Sequence, residues 1–192
     1  MNAITLASSN VQLDATGTVS VGSVVIGGTG LATRTVTLSS INGDGTLGIT
    51  VRAASAVDHA GNLATASAAS ATKPVDNTPP TISLSGPTPV ISNHGPVSYT
   101  VTYSGADEIS LSPTLVNLAK TGSAQATVQV TGSGLTERTI TLENMTGDGT
   151  ILLSVLPNSA ADKFGNQAPD TILGMESVLT VDNTKPSCDL RR

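Results

Sequence analysis

The chain has 192 residues, a formal charge of −5, one cysteine and only 2% aromatic residues. An acidic balance without a basic run excludes a surface built to neutralise nucleic-acid phosphates and gives no basic stretch for a membrane. The lone Cys188 excludes an internal disulfide and a cysteine metal cage, and no apolar run is long enough to cross a bilayer.

Thr and Val, with 19 Gly and 10 Pro, suit half-buried strands broken by frequent turns, so the chain reads as all-β. Its opening, "MNAITLASSN", has neither the basic start nor the apolar stretch of a signal peptide. From there a long repeat unfolds. Ile4, Val11, Leu13 and Gly17 have counterparts 105 residues on, at Ile109, Val116, Leu118 and Gly122. "IGGTGLATRTVTLSSINGDGTLGITV" (26–51) matches "VTGSGLTERTITLENMTGDGTILLSV" (130–155), with Leu31, Arg34 and Asp44 each 104 residues before Leu135, Arg138 and Asp148. "DHAGN" (58–62) matches "DKFGN" (162–166), and "PVDNTPPT" (74–81) is answered by "TVDNTKPS" (180–187). The unit is the size of a β-sandwich domain, far longer than a solenoid repeat.

The predicted domains are an incomplete module over 1–77, a complete one over 78–184, and the start of a further module or a tail over 185–192. Residues 81–107 have no counterpart in the first copy, which predicts that its opening strands are missing. The chain then reads as a window on a longer array. In the second copy, alternation predicts strands at 81–86, 97–104, about 108–112, 124–131, 137–143, 150–156 and 176–182. Asp148-Gly149, like Asp44-Gly45, is a hairpin-type turn signal. Pro79-Pro80 restricts the chain to extended conformations and reads as a short stiff connector.

"TGDGT" before an apolar strand, then "D-x-x-GN", then "VDNT" with prolines and an alternating strand, resemble bacterial Ig-like domains. The resemblance implies tandem immunoglobulin-like β-sandwiches in a large cell-surface or secreted, adhesin-type protein, often with calcium at the joints. The cysteine and tryptophan core of antibody domains is absent.

In a seven-strand sandwich, the turn at Asp44 and the linker residues Asp76 and Asn77 lie at the pole where the chain leaves. Asp107, Glu108, Asp162 and Asn166 lie at the pole where it enters. Clustered Asp, Asn and carbonyl oxygens suit Ca²⁺, which takes six to eight of them, so Asp44, Asp76, Asn77, Asp107, Asp162 and Asn166 are candidate ligands. The same residues also read as turn residues held by their own side chains, and the spacing is not that of an EF-hand loop.

No nucleophile elbow, zinc helix or phosphate loop is present. His59 is replaced by Lys163 in the second copy, and His94 lies in a turn. Glu137 and Arg138 suit a surface ion pair, and the Asn144 sequon reads as chance. The expected function is a non-catalytic spacer, extracellular or at the cell surface, whose partners are neighbouring modules of the same chain. The alternative is an adhesive or carbohydrate-binding module, accessory to a secreted enzyme or meeting a host or matrix ligand, with the segment 157–175 as its irregular loop.

Overall fold

In the computed structural model, residues 3–172 and 178–188 are described, and they form an all-β chain. It divides into two compact units, Met1–Thr78 and Pro79–Arg192.

Unit 1 contains β1 (Ala3–Ile4), β2 (Val11–Ala15), β3 (Ser20–Gly27), β4 (Thr35–Asn42), β5 (Gly45–Val51), β6 (Ala56–Val57) and β7 (Lys73–Val75). They pair as β2-β5-β7, β3-β4 and β1-β6. Unit 2 contains β8 (Thr81–Leu84), β9 (Ile91–Ser92), β10 (Val97–Ser104), β11 (Glu108–Ile109), β12 (Val116–Lys120) and β13 (Gln125–Thr131). It continues with β14 (Glu137–Thr146), β15 (Gly149–Val155), β16 (Ala160–Ala161), β17 (Thr171–Ile172) and β18 (Val178–Val181). One sheet runs β13-β14-β10-β8 and a second runs β12-β15-β18-β9, with β17 also on β15 and a small β11-β16 pair.

The core of unit 2 follows from alternation. Along β10, Val97, Tyr99, Val101 and Tyr103 are buried while Thr102 and Ser104 face water. Ile140, Leu142 and Met145 on β14 join them from the same sheet. Ile151, Leu153 and Val155 on β15, with Leu179 and Val181 on β18, come from the other sheet. Both sheets thus feed one core, a sandwich-like arrangement, and each fully buried aliphatic side chain contributes roughly 1.5–3 kcal/mol.

The strands of unit 1 repeat those of unit 2. Val24 faces Leu38 and Ile26 faces Val36, as Val128 faces Leu142 and Val130 faces Ile140. Likewise Val11 faces Val51 and Leu13 faces Ile49, as Val116 faces Val155 and Leu118 faces Leu153. Among the described residues of unit 1, nothing corresponds to β8, β9 and β10. Its buried apolar residues are correspondingly few: Val11, Leu47 and Ala56.

Several features differ from the reading of the sequence: the strand at 108 is only Glu108–Ile109, and Ile91–Ser92 forms a strand not expected from it. Val116–Lys120 forms a strand although Asn, Ala and Lys are poor strand formers; β15 pairs along its whole length. The strand at 137 runs on to Thr146, past Asn144 at φ 51°. The segment from 157 is irregular over most of its described part but carries β16, β17 and an Ala161–Gln167 bridge. Residues 176 and 177 of the predicted final strand, and 189–192 of the predicted tail, lie outside the described residues.

Both tyrosines of the chain lie on β10. The Tyr103 hydroxyl donates to Oγ of buried Ser159 at 3.1 Å. The Tyr99 hydroxyl is buried without a partner among the described residues. Desolvation pushes Tyr99 up to about 12 and also raises Tyr103, whose bond to Ser159 works the other way. Because the folded values exceed the unfolded ones, their contribution is present below pH ~10 and is lost as pH rises through the folded values. A tyrosinate absorbance titration, free of tryptophan background, should show no ordinary tyrosine and a loss of fold along its upper limb. Tyr99→Phe should raise stability to urea by about 1 kcal/mol, because it removes a buried unpaired hydroxyl. A fall would mean that the hydroxyl has a partner.

Candidate functional site

The two copies of Val-Asp-Asn-Thr end at the same device. β14 and β15 belong to different sheets, so the Gly147-Asp148-Gly149 turn between them is a corner and not a hairpin. A corner takes backbone groups off the ladders, and each then needs another partner. Asp148 N–H donates to Ser123 Oγ at 3.0 Å, and Thr150 N–H donates to Thr121 Oγ1 at 2.9 Å. The departing chain closes the other side. Asn183 N–H donates to Asp148 Oδ1 at 2.6 Å, and Thr184 Oγ1 donates to Asp148 Oδ2 at 3.1 Å. Asn183 Nδ2 donates to the Gly147 carbonyl at 2.7 Å, and Asp182 Oδ1 accepts from Thr184 N–H at 2.9 Å.

Unit 1 builds the same clasp. Asn77 N–H reaches Asp44 Oδ1 at 2.6 Å, Thr78 Oγ1 reaches Asp44 Oδ2 at 2.7 Å, and Asn77 Nδ2 reaches the Gly43 carbonyl at 2.7 Å. Asp76 Oδ1 accepts from Thr78 N–H at 3.0 Å. Thr18 and Thr16 take the places of Ser123 and Thr121. The Asn77 amide, then the Thr78 hydroxyl, hold the Asp44 carboxyl below its ordinary 3.8.

A second device closes the D-x-x-G-N loops. Asp162 Oδ1 accepts from Phe164 and Asn166 N–H at 2.8 and 2.9 Å, and Oδ2 accepts from Asn166 Nδ2 at 2.7 Å. Asp58 does the same with Ala60 and Asn62. Both carboxyls sit below the ordinary 3.8. At Asp58 the Asn62 side chain is the main cause; at Asp162 desolvation opposes the shift, and the bonds from Asn166 outweigh it. Asp107 Oδ2 accepts from Lys163 N–H at 3.0 Å, which ties the neighbouring loop to this one.

Within unit 1 the structure therefore gathers Asp44, Asp76 and Asn77, and within unit 2 it gathers Asp107, Asp162 and Asn166. Their carboxylate oxygens are aimed at N–H and O–H donors. Among the described residues no group of three His, Cys, Asp or Glu side chains is placed to hold a metal ion, and in each set the carboxylates accept hydrogen bonds from protein donors. Glu108 begins β11 opposite Ala161.

Sequence reasoning missed the hydroxyls of Thr16, Thr18, Thr121 and Ser123; their signal was the repeat of hydroxyl-Gly-hydroxyl at 16–18 and 121–123. It also missed the role of the repeated arginines. Arg138 Nη1 donates to the Gly134 and Glu137 carbonyls, so it braces the loop before β14 and meets Glu137 through its main chain. Arg34 does the same with Gly30 and Thr33. Cys188 is exposed. No helix among the described residues is long and apolar enough to cross a membrane.

Compared with known proteins, the chain matches no family model, no curated protein and no solved structure.

Two outcomes test the clasp and the loops. Gly149 has φ 147°, and a Cβ there would overlap the Thr121 carbonyl; Gly165 has φ 90° with open space around it. Gly149→Ala should cost about 1–3 kcal/mol in denaturant melts and clearly more than Gly165→Ala. The depressed carboxyls contribute stability above the unfolded value, and lose it as pH falls through the folded one. Melting temperature should thus fall as pH drops below about 4, and Asp44→Asn with Asp58→Asn should flatten that limb.

Proposed function

We propose that the chain is a non-catalytic spacer made of immunoglobulin-like β-sandwich modules, part of a repetitive bacterial surface or secreted protein that supports adhesion. The observation that carries this reading is the clasp. One set of residue types ties the departing chain to the same corner in both units, with matching bonds. A repeated element whose most elaborate polar network anchors its own exit strand is suited to transmitting position along a chain. Its polar side chains are spent on the backbone, in corners and loops.

The spacer reading expects no saturable binding on a glycan or matrix-protein array; reproducible, saturable binding would favour the adhesive alternative. Calcium at Asp44, Asp76, Asn77, Asp107, Asp162 and Asn166 is the competing account of what stiffens the joints. Because the carboxylates have protein donors, melting with and without a chelator should give the same temperature. A fall of several degrees on chelation would restore the cation.

A further inference from the structure

We propose that Asn42-Gly43 is a site of spontaneous deamidation, which turns residue 42 into aspartate or isoaspartate and unfastens the clasp of unit 1.

The corner dictates the glycine. Gly43 has φ 82°, and a Cβ there would overlap the Thr18 carbonyl, just as one on Gly147 would overlap that of Ser123. Both units therefore keep glycine at this place. The residue before it differs: Asn42 in unit 1 and Thr146 in unit 2, each exposed at the end of its strand. Asn42 is the only asparagine of the chain that glycine follows. With no Cβ beside it, a glycine nitrogen reaches the preceding side chain more readily than that of any other residue.

The reaction needs only water. Asn42 Nδ2 donates to the Ser40 carbonyl at 3.0 Å on the exposed surface. A solvent base takes the Gly43 N–H proton, the nitrogen bonds to Asn42 Cγ, and the side-chain amide leaves as ammonia. Water then opens the resulting succinimide. Breaking the new bond from nitrogen to Cγ gives aspartate. Breaking the original peptide bond gives isoaspartate, whose main chain runs through Cγ. Asp44-Gly45 and Asp148-Gly149 could form the same ring, with loss of water. A carboxylate is a poor electrophile, however, and these two hold donors on both oxygens, from Asn77 and Thr78 and from Asn183 and Thr184.

The damage falls on the clasp. The Gly43 carbonyl accepts from Asn77 Nδ2 at 2.7 Å, and Asp44 Oδ1 accepts the Asn77 N–H. Aspartate at position 42 sets a second negative charge close to Asp44 along the chain. Isoaspartate also inserts a main-chain carbon just before Gly43, in a corner without room for a Cβ, and so displaces the carbonyl that Asn77 holds. Thr146 has no amide to lose, so the clasp of unit 2 is spared and the two exits age differently.

The test incubates the full chain in mildly alkaline buffer at physiological temperature and maps its peptides by mass spectrometry, with isoaspartyl methyltransferase as the label. Conversion concentrated at position 42 is expected, seen as exchange of the side-chain amino group for oxygen and as uptake of label. Asn42→Thr, which copies unit 2, should abolish both. In the aged chain, hydrogen exchange should quicken at Asn77 and Thr78 and stay unchanged at Asn183 and Thr184. Asn42→Asp, which adds the charge without the extra carbon, should cause a smaller loss of protection at Asn77. The proposal is overturned if position 42 remains asparagine, if conversion is spread evenly over the asparagines, or if aged and fresh chains exchange alike at Asn77.

Discussion

Each unit depends on a corner that must leave one sheet and enter the other without leaving backbone donors unpaired. At Asp148 the solution is a carboxylate facing the exit strand and two hydroxyls facing the preceding turn. The glycines on either side follow from that closeness: at Gly149 a side chain would occupy the space of the Thr121 carbonyl. G-D-G-T and D-N-T are therefore two halves of one contact, separated by 33 to 36 residues in the chain. This is why the two phrases recur together. A donor lost on either side would remove one of the bonds that tie the exit strand to the corner.

The composition follows from the same economy. Few large side chains are available, so local polar closures carry what a bigger core would otherwise fix. Asp58 and Asp162 each fold five residues around one carboxylate, and Arg34 and Arg138 each brace a loop through two carbonyls. These closures need Ser, Thr, Asp, Asn and Gly, the residues that crowd the sequence. The aromatic residues are placed unevenly: both tyrosines lie on β10, and Phe164 is exposed beneath the Lys163 ammonium. The buried aromatic side chains of unit 2 thus both lie on a strand for which unit 1 has no counterpart among its described residues.

How much was legible in the sequence depended on the range of the interaction. Alternation in "VSYTVTYS" and "RTITL" reports a face, so β10 and most of β14 could be read directly, and the repeat offset carried strand register from one unit to the other. The all-β class followed. Val116–Lys120 is specified by its partner β15 more than by its own residues, and a single-strand pattern does not record that. Asp-Gly announces a turn but not whether the flanking strands pair, so a corner between sheets looked like a hairpin. The clasp joins segments about 30 residues apart, and only its recurrence hinted at it. The candidate acidic residues were found because carboxylates are conspicuous, but a carboxylate that holds a loop and one that awaits a cation have the same spelling. The structure adds the donors that each carboxylate meets inside its own unit.

The two units make an internal comparison that separates local from global order. The Asn77 and Asn183 amides stand at the same 2.6 Å from their carboxylates, and the D-x-x-G-N loops keep their bonds to within about 0.2 Å. Yet only one unit has β10 and a closed core. The polar closures therefore do not require the core; they are set by residues near one another at the corner or within one loop. Burial behaves in the opposite way. Val36 and Leu38 keep the register of Ile140 and Leu142 but remain partly exposed, because burial requires something on the other side. A unit can thus hold its loops, its corner and its exit while the side chains of its apolar face stay partly exposed.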